Sequence, residues 1–472
     1  MEQLGALTEE FFRIEEELEL LAQAVRGVRI WERVRFQVHQ RSLAASEALQ
    51  LPRRVQPRGK VRAGRRAQAL AGAIWRNPLL GRRPELIILG HPRRKLQKDG
   101  LWWDIYADPY LETTDRRYVY CEFPYRGTHR VPAKTPALRY LDIVQLAEGA
   151  QRRLHVRGGR LSVAERSWVR NVEASFESRL GGKIGLSDLV TRTLSSRFRC
   201  LPVYELILRR LKPAIALVVC SYGNETFIEA CKAVGIPVAE LQHGVISRYQ
   251  LGYSYPDTRT TKRTFPDYLL TFGKYWNTVC RYPIPEHRVL AVGFPYEESE
   301  RLRYEGVPPG NRILFLSELT VGDVLSKLAT AVARDAPGDV EIVYKLHPTE
   351  STSWRALYPC LVDSRVTVVD GDDPSLYQLL ASSRMHVGVS TTALFEGLAF
   401  DRETAIVDLP TAEHADTLVQ TGRATLVRTA GDLIERAARP APQAAIDASH
   451  YFRRNALRNM DAAVAKILDV RR

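Results

Sequence analysis

Apolar residues recur along this chain with two different periods, and the change from one to the other organises it. From residue 1 to about 50, Leu18, Leu20, Leu21, Val25, Val28, Ile30 and Trp31 return at helical spacing between charges, which predicts helix. "ELIILGHPRR" (Glu85–Arg94) then reads as a strand running into a loop, and "RYVYCEFPY" (Arg117–Tyr125) alternates like a second strand. Helical spacing returns over Leu138–Arg153 and Ser162–Leu180. After about residue 200 the rhythm is regular: helix "VYELILRRL", strand "AIALVVC", turn "SYGNE", helix "TFIEACKAVG", strand "IPVAELQ" and the pair His243-Gly244. "DYLLTFG" (Asp267–Gly273) and "RVLAVGFP" (Arg288–Pro295) continue it. Strands alternating with helices of about ten to fifteen residues predict βαβ units and a parallel sheet.

The polar stretch "YEESERLRYEGVPPGN" (Tyr296–Asn311) reads as a linker. A second alternating set follows: strand "RILFLS", helix Asp323–Arg334, strand "VEIVYKL", a helix near Trp354, strand "VTVVD", helix "SLYQLLASS", strand "MHVGVS", helix "ALFEGLAF" and strand "TAIVDL". "DASHYFRRNALRNMDAAVAKILDV" predicts a long closing helix. The expected fold is α/β: two tandem, doubly wound, Rossmann-like domains, residues 1–300 (with a helical and basic segment over 1–84) and 301–445, followed by a terminal helix over 446–472.

A length of 472 residues exceeds one ordinary core and agrees with that division. With 45% hydrophobic and 26% charged residues, the composition is globular rather than disordered. The acidic, amphipathic opening "MEQLGALTEEFFRIEEELELLAQAV" is unlike a secretory signal, and no apolar run nears the roughly 20 residues that span a bilayer. Six scattered cysteines without a CxxC pair predict reduced thiols and a cytoplasmic protein.

The net charge of +14 is concentrated, with ten Lys or Arg and no acid between Ala48 and Pro84. This segment, including Arg53, Arg54, Arg65 and Arg66, suits anionic lipid headgroups or an acidic glycan, and it equally reads as a solvated basic face. Nucleic acid is not expected, because no zinc finger, RNA-stacking signature or helix-turn-helix accompanies the charge.

Candidate chemistry sits where strands end and helices begin, the position at which open parallel sheets bind ligands. In "SYGNE", Ser221 or Asn224 can cap the next helix, and Glu225 is a first-turn carboxylate that could also act as a base. His243 ends an apolar strand; imidazole titrates near neutrality and suits proton abstraction, and Gly244 gives room for a turn and a substrate. In "YKLHPTE", Lys345 and His347 can face a diphosphate, with Pro348 fixing the turn. In "VSTTALFEG", Ser390, Thr391 and Thr392 bring hydroxyls and free N–H groups to a helix start, which makes either an anion site or an ordinary cap. Glu396, nearly two turns on, can reach the same crevice for ribose hydroxyls. "DGD" (Asp370–Asp372) looks like a metal-binding DxD but leads into Asp373-Pro374-Ser375, a turn and helix start, and reads as structural. "GHPRR" (Gly90–Arg94) reads as a basic surface turn.

Taken in order, "LQHG", "DYLLTFG", "AVGFP", "ILFLSE", "YKLHP" and "VSTTALFEG" resemble the GT-B fold transferases of bacterial surface polymers. The resemblance is to the CDP-glycerol glycerophosphotransferase and capsule-polysaccharide-synthesis group, more distantly to bacterial sialyl- and Kdo-transferases, and covers roughly residues 210 to 410. It implies two domains facing a cleft, an acceptor-side first half, a donor-nucleotide-binding second half, and a terminal helix crossing back. By motif, it implies His243 as the acceptor base, His347 on the donor phosphate, Ser390 and Thr391 as the phosphate-binding hydroxyls, and Glu396 as the acidic residue of the following helix. Lys345, Pro348, Ser317 and Thr392 join the implied donor site. It also implies no resident metal or other cofactor, and the longer HG motifs of the group are not reproduced around Gln242 and Val245. The expected activity is transfer from a CMP-, CDP- or UDP-linked sugar to a surface glycan or lipid-linked precursor, at the inner face of the plasma membrane. The alternatives are glycerophosphate transfer and UDP-sugar 2-epimerisation.

Overall fold

The apolar runs become strands covered on both faces, as parallel sheets require. The computed structural model describes residues 3–45, 72, 74–91, 94–125, 127–152, 161–256, 262–439 and 447–470. Arg53, Arg54, Arg65 and Arg66 therefore lie outside the described residues. The first strands are β1 (Leu86–Leu89), β2 (Lys95–Leu96), β3 (Trp102–Trp103), β4 (Tyr118–Glu122), β5 (Leu138–Tyr140), β6 (Ile215–Val219), β7 (Val238–Leu241), β8 (Tyr268–Thr271) and β9 (Val289–Ala291). The later ones are β10 (Arg312–Leu316), β11 (Glu341–Lys345), β12 (Thr367–Val369), β13 (Met385–Gly388), β14 (Glu403–Val407) and β15 (Thr425–Val427).

One sheet runs β5-β4-β1-β6-β7-β8-β9 and the other β12-β11-β10-β13-β14-β15, with β2 and β3 forming a separate antiparallel ribbon. The registered pairs within both large sheets are parallel. The fold is thus α/β and GT-B-like, with two doubly wound sheets. Chain order reverses between β1 and β6 in one sheet and between β10 and β13 in the other; such switch points open the crevices that take ligands.

Strand periodicity sorts the core. Leu86 and Ile88 of β1 face a cluster that includes Met460, Val464 and Ile467 of the closing helix Ala456–Asp469. Ile87 and Leu89 face the opposite layer, with Ile207 and Leu208 of helix Leu186–Leu211 and Phe227 of helix Glu225–Ala233. Each such apolar side chain stabilises by about 1.5–3 kcal/mol when fully buried. Gly273, which ends "DYLLTFG", and Gly293, inside "AVGFP", let the closing segment cross: a Cβ at Gly273 would overlap the carbonyl oxygens of His450 and Tyr451, and one at Gly293 that of Arg453. The two halves meet on aromatic rings, with Trp276 lying 4.9 Å and Tyr275 5.9 Å from Phe395.

Several sequence expectations change. The opening helical stretch is two helices, Gln3–Glu17 and Trp31–Ala45. Glu19, Arg26 and Gly27 take positive φ between them, and Leu20, Val25, Val28 and Ile30 bury from this connector rather than from a helix. Over 138–153 the chain first adds the short strand β5 beside β4, then forms helix Asp142–Arg152. "VYELILRRL" is only the end of the 26-residue helix Leu186–Leu211. The expected linker after Tyr296 begins inside helix Pro295–Arg303, which turns Glu297 and Glu300 inward.

"GHPRR" is not a surface turn at its last residue. The Arg94 side chain is 0% exposed; its Nε donates to Glu122 (2.7 Å) and its Nη1 to Asp108 (3.1 Å) and Thr135 (2.9 Å). Beside it His129 is held between Glu122 (3.1 Å) and Asp142 (2.9 Å), with its ring stacked on Tyr140. Burial works against protonating His129, but its bonds to Asp142 and Glu122 outweigh that and raise its pKa. A raised histidine stabilises fully below its unfolded value of about 6.5, and that contribution is lost as pH rises through the folded value. Thermal midpoints measured from pH 6 upward should therefore fall more for the parent chain than for His129→Gln. Parallel curves would remove this assignment.

Candidate active site

The carboxyl ends of the first sheet supply His243. Strand β7 is fully buried, and Gln242 pins its exit: Phe272 N–H donates to Gln242 Oε1 and Gln242 Nε2 donates to the Gly244 carbonyl, both at 2.8 Å. Gly244 is required by neither strain nor crowding, since a Cβ there would meet Thr392 Oγ1 at an ordinary 3.8 Å. The His243 carbonyl accepts from Tyr106 OH (2.8 Å), while its ring has Tyr222 OH at Nε2 (3.0 Å) and Tyr253 OH at Nδ1 (3.4 Å).

Three residues upstream is a carboxylate that sequence reading missed. Glu240 is 0% exposed in the middle of β7, and its Oε1 accepts from Ser221 N–H (3.0 Å) and Tyr253 OH (2.5 Å) while lying 4.0 Å from His243 Nδ1. Burial pushes its carboxyl up to about 7, against these donors and the charge of Lys262. The signal was one acid inside the apolar strand "VAEL".

A crevice of about 100 Å³ joins the halves at this point. His243, Lys95, Tyr106 and Phe294 line it from the first half, and Tyr377, Thr392 and Glu396 from the second. Burial raises the Glu396 carboxyl, with Tyr377 and Lys95 opposing it. Burial also works against charge on Lys95, but Tyr296 and Asp372 outweigh it and raise its pKa. Lys95, on the β2–β3 ribbon, pairs with Asp372 at 3.2 Å, so the "DGD" turn serves as a contact between the halves. Ser375 caps helix Leu376–Ser382, as that turn predicted. Pockets for small ligands run to about 300–1,000 Å³, so the crevice is narrower than such a pocket. A larger cavity of about 990 Å³ lies between helix Gln3–Glu17 and residues 277–289, and none of the expected site residues line it.

The other expected residues fall outside the crevice lining. Glu225 accepts from Gly223 N–H (3.1 Å), on its own loop. Asn224 is the N-cap residue of that helix, but its amide donates to the Cys220 carbonyl instead of capping. Lys345 gives its amine to the Gly371 carbonyl, and burial lowers its pKa. His347 accepts at Nδ1 from Thr349, and Glu350 accepts the His347 N–H (2.8 Å), which fixes the turn at Pro348. Ser317 is buried and donates to Tyr344 OH (3.1 Å).

Ser390 lies at the second switch point, beside the exit of β10, and there Glu318 takes its donors: Ser390 N–H at 2.6 Å and Oγ at 2.7 Å. Thr391 caps helix Thr392–Gly397, leaving Thr392 as the hydroxyl residue that lines the crevice. Burial pushes the Glu318 carboxyl up, and the Ser390 hydroxyl and N–H with the backbone at Val389 and Thr391 oppose it. An internal carboxylate thus occupies the place expected for a donor phosphate. Glu318→Ala should free these donors, so UDP at a fixed concentration should raise the thermal midpoint by about 2–4 °C more in the variant than in the parent chain. Equal shifts would show that Glu318 does not compete there.

Among the described residues, no three His, Cys, Asp or Glu side chains gather as a metal-ligand set, and no helix is long and apolar enough to cross a membrane. No protein-family profile and no curated protein sequence matches the chain. Among solved structures it is similar to the UDP-GlcNAc 2-epimerase of Methanocaldococcus jannaschii in complex with UDP-GlcNAc and UDP, at 13% identity over 81% of this chain and 99% of that one, with a TM-score of 0.44. Similarity to Arabidopsis thaliana UGT89C1 complexed with UDP is 11% identity over 82% and 100%, TM-score 0.44. For MurG of Acinetobacter baumannii it is 11% over 82% and 98%, TM-score 0.39. The architecture described above rests on the strand order itself.

Proposed function

We propose that this chain is a glycosyltransferase that moves a sugar from a nucleotide-sugar donor to a surface glycan, such as a capsule or lipopolysaccharide, or to its lipid-linked precursor. One observation carries the reading: a histidine at a strand end of one sheet shares a crevice with Thr392, Glu396 and Lys95 at the border between the halves. An acceptor hydroxyl replacing Tyr222 OH at His243 Nε2 gives up its proton there as its oxygen bonds to the donor carbon. The bond from that carbon to the phosphate breaks, and the phosphate oxygen keeps the electron pair. Lys95, from the β2–β3 ribbon, offsets the charge that develops on it. Substrate entry requires the crevice to open past the Lys95–Asp372 pair.

A thermal-shift series over CMP, CDP, UDP, GDP and their sugars tests the reading, because a ligand that binds only the folded chain raises its midpoint. A shift with a sugar nucleotide, followed by acceptor-dependent release of the nucleotide, is expected. Product formed from a UDP-sugar alone would favour epimerisation, which needs an acid and a base in one crevice, as Glu396 and His243 are. Transfer only from CDP-glycerol would replace the sugar by glycerol phosphate. The Arg53, Arg54, Arg65 and Arg66 segment is proposed as the contact for an anionic membrane or glycan, and neutralising all four should abolish co-sedimentation with anionic liposomes.

A further inference from the structure

A carboxylate inside an apolar strand is expensive to bury, and Glu240 is buried with no partner for Oε2 among the described residues. Nothing in the packing of β7 asks for it, since its neighbours in register, Val218 and Leu269, are apolar. Its other oxygen, however, leads to the imidazole. An ionised carboxylate only accepts, so the Tyr253 hydroxyl spends its single proton on Glu240 Oε1, at 2.5 Å. The Tyr253 oxygen can then only accept from His243, whose Nδ1 lies 3.4 Å away. A proton on Nδ1 leaves Nε2 with its lone pair, which accepts from Tyr222 OH at 3.0 Å.

We propose that Glu240, acting through Tyr253, is a positioning residue that fixes His243 in the Nδ1–H tautomer and leaves Nε2 as the proton-accepting nitrogen. The inference deepens the reading of His243 as the acceptor base and rests on it for its catalytic meaning. The tautomer itself does not depend on that reading. Other groups face the pair: Cys220, Ser221 and Tyr222 from the turn after β6, Lys262 from the loop before β8, Tyr282 after β8, Tyr106 and Lys95 on the same side of the crevice, and Glu396 across it. None of them supplies a second acceptor to Tyr253 OH among the contacts described.

The test uses the full chain labelled with 15N-histidine and long-range 1H–15N spectra, with His243→Ala identifying the His243 signals. Above pH 8, where Glu240 is ionised, the parent should show a protonated Nδ1 and an unprotonated Nε2. Tyr253→Phe removes the acceptor and should abolish that pattern, giving mixed or inverted tautomers. Glu240→Gln keeps the shape and removes the charge; the His243 titration should move to lower pH, with thermal stability unchanged or higher because a buried charge is gone. A parent with Nε2 protonated, or signals unchanged in both variants, overturns the proposal. A purely structural Glu240 predicts the reverse pattern, in which Glu240→Gln lowers the melting midpoint and leaves the His243 spectrum alone. With a donor and acceptor in hand, Glu240→Gln should lower kcat by about tenfold or more at unchanged KM. If the spectra behave as stated while the parent chain turns over no sugar nucleotide, the relay stands and the glycosyltransferase reading falls.

Discussion

His243→Ala is expected to lower turnover by about 10²- to 10⁴-fold, the range supplied by a positioned general base. The thermal midpoint should move by no more than a few degrees, because the side chain is 17% exposed and its ring contacts are to hydroxyls at the rim of a crevice. KM for the donor should change little, since the proposed role of the ring is on the acceptor hydroxyl. Steady-state rates at saturating donor, set beside a melting curve of the same preparation, make the comparison. Near-normal turnover would remove His243 from the chemistry. His347→Ala is the informative companion, because the ring of His347 is held by Thr349 and does not line the crevice. A loss as deep as that of His243→Ala would place donor chemistry at the carboxyl end of β11 instead.

The largest effect on stability is expected from Arg94→Met. The variant leaves Glu122, Asp108 and Thr135 facing a thioether inside the fold, and removing one partner of a buried ion pair costs about 3–5 kcal/mol. Burial already pushes Asp108 up to about 6 in the presence of Arg94. Arg94 also lies 4.6 Å over the ring of Tyr120, so packing is lost along with charge. The effect should reach the site, because Arg94 immediately precedes β2, which carries Lys95 into the crevice. Urea unfolding measures the first consequence, and a weaker thermal shift with the sugar nucleotide that binds the parent chain measures the second. A cost below about 1 kcal/mol would mean that the network relaxes around the missing guanidinium.

Much of the second sheet was legible from periodicity, because its strands are short, apolar and separated by amphipathic helices. β10, β11, β13 and β14 sit where "RILFLS", "VEIVYKL", "MHVGVS" and "TAIVDL" predicted strands. The first half was less legible. Val25 and Val28 return at helical spacing yet bridge each other in a turn, and Leu138 begins a strand of only three residues. In both cases a burial period was read correctly as burial and wrongly as helix, since a connector that dips into the core repeats apolar residues at similar intervals. The site divided in the same way. His243 and Thr392 were singled out as strand-exit residues and Glu396 by helical spacing from Ser390, and all three line one crevice, whereas Glu240, Lys95 and Glu318 were not singled out.

What the sequence determined by itself was the local order of strands, turns and helices, and therefore which residues stand at the carboxyl ends of two parallel sheets. That follows from periodicity and turn chemistry, which act within a few residues. Only the tertiary structure decided which of those residues meet. Ser390 and Glu318 lie 72 positions apart and bond because β10 and β13 are neighbours at a switch point. His243 and Thr392 line one crevice because the two halves pack together, and His347 is held on its own turn by Thr349 and Glu350. Glu240 reaches His243 through Tyr253 because a loop returns over the end of β7. Pairing across such distances depends on sheet order and on which donor finds which acceptor once water is excluded, and neither quantity is written in the spacing of residues along the chain.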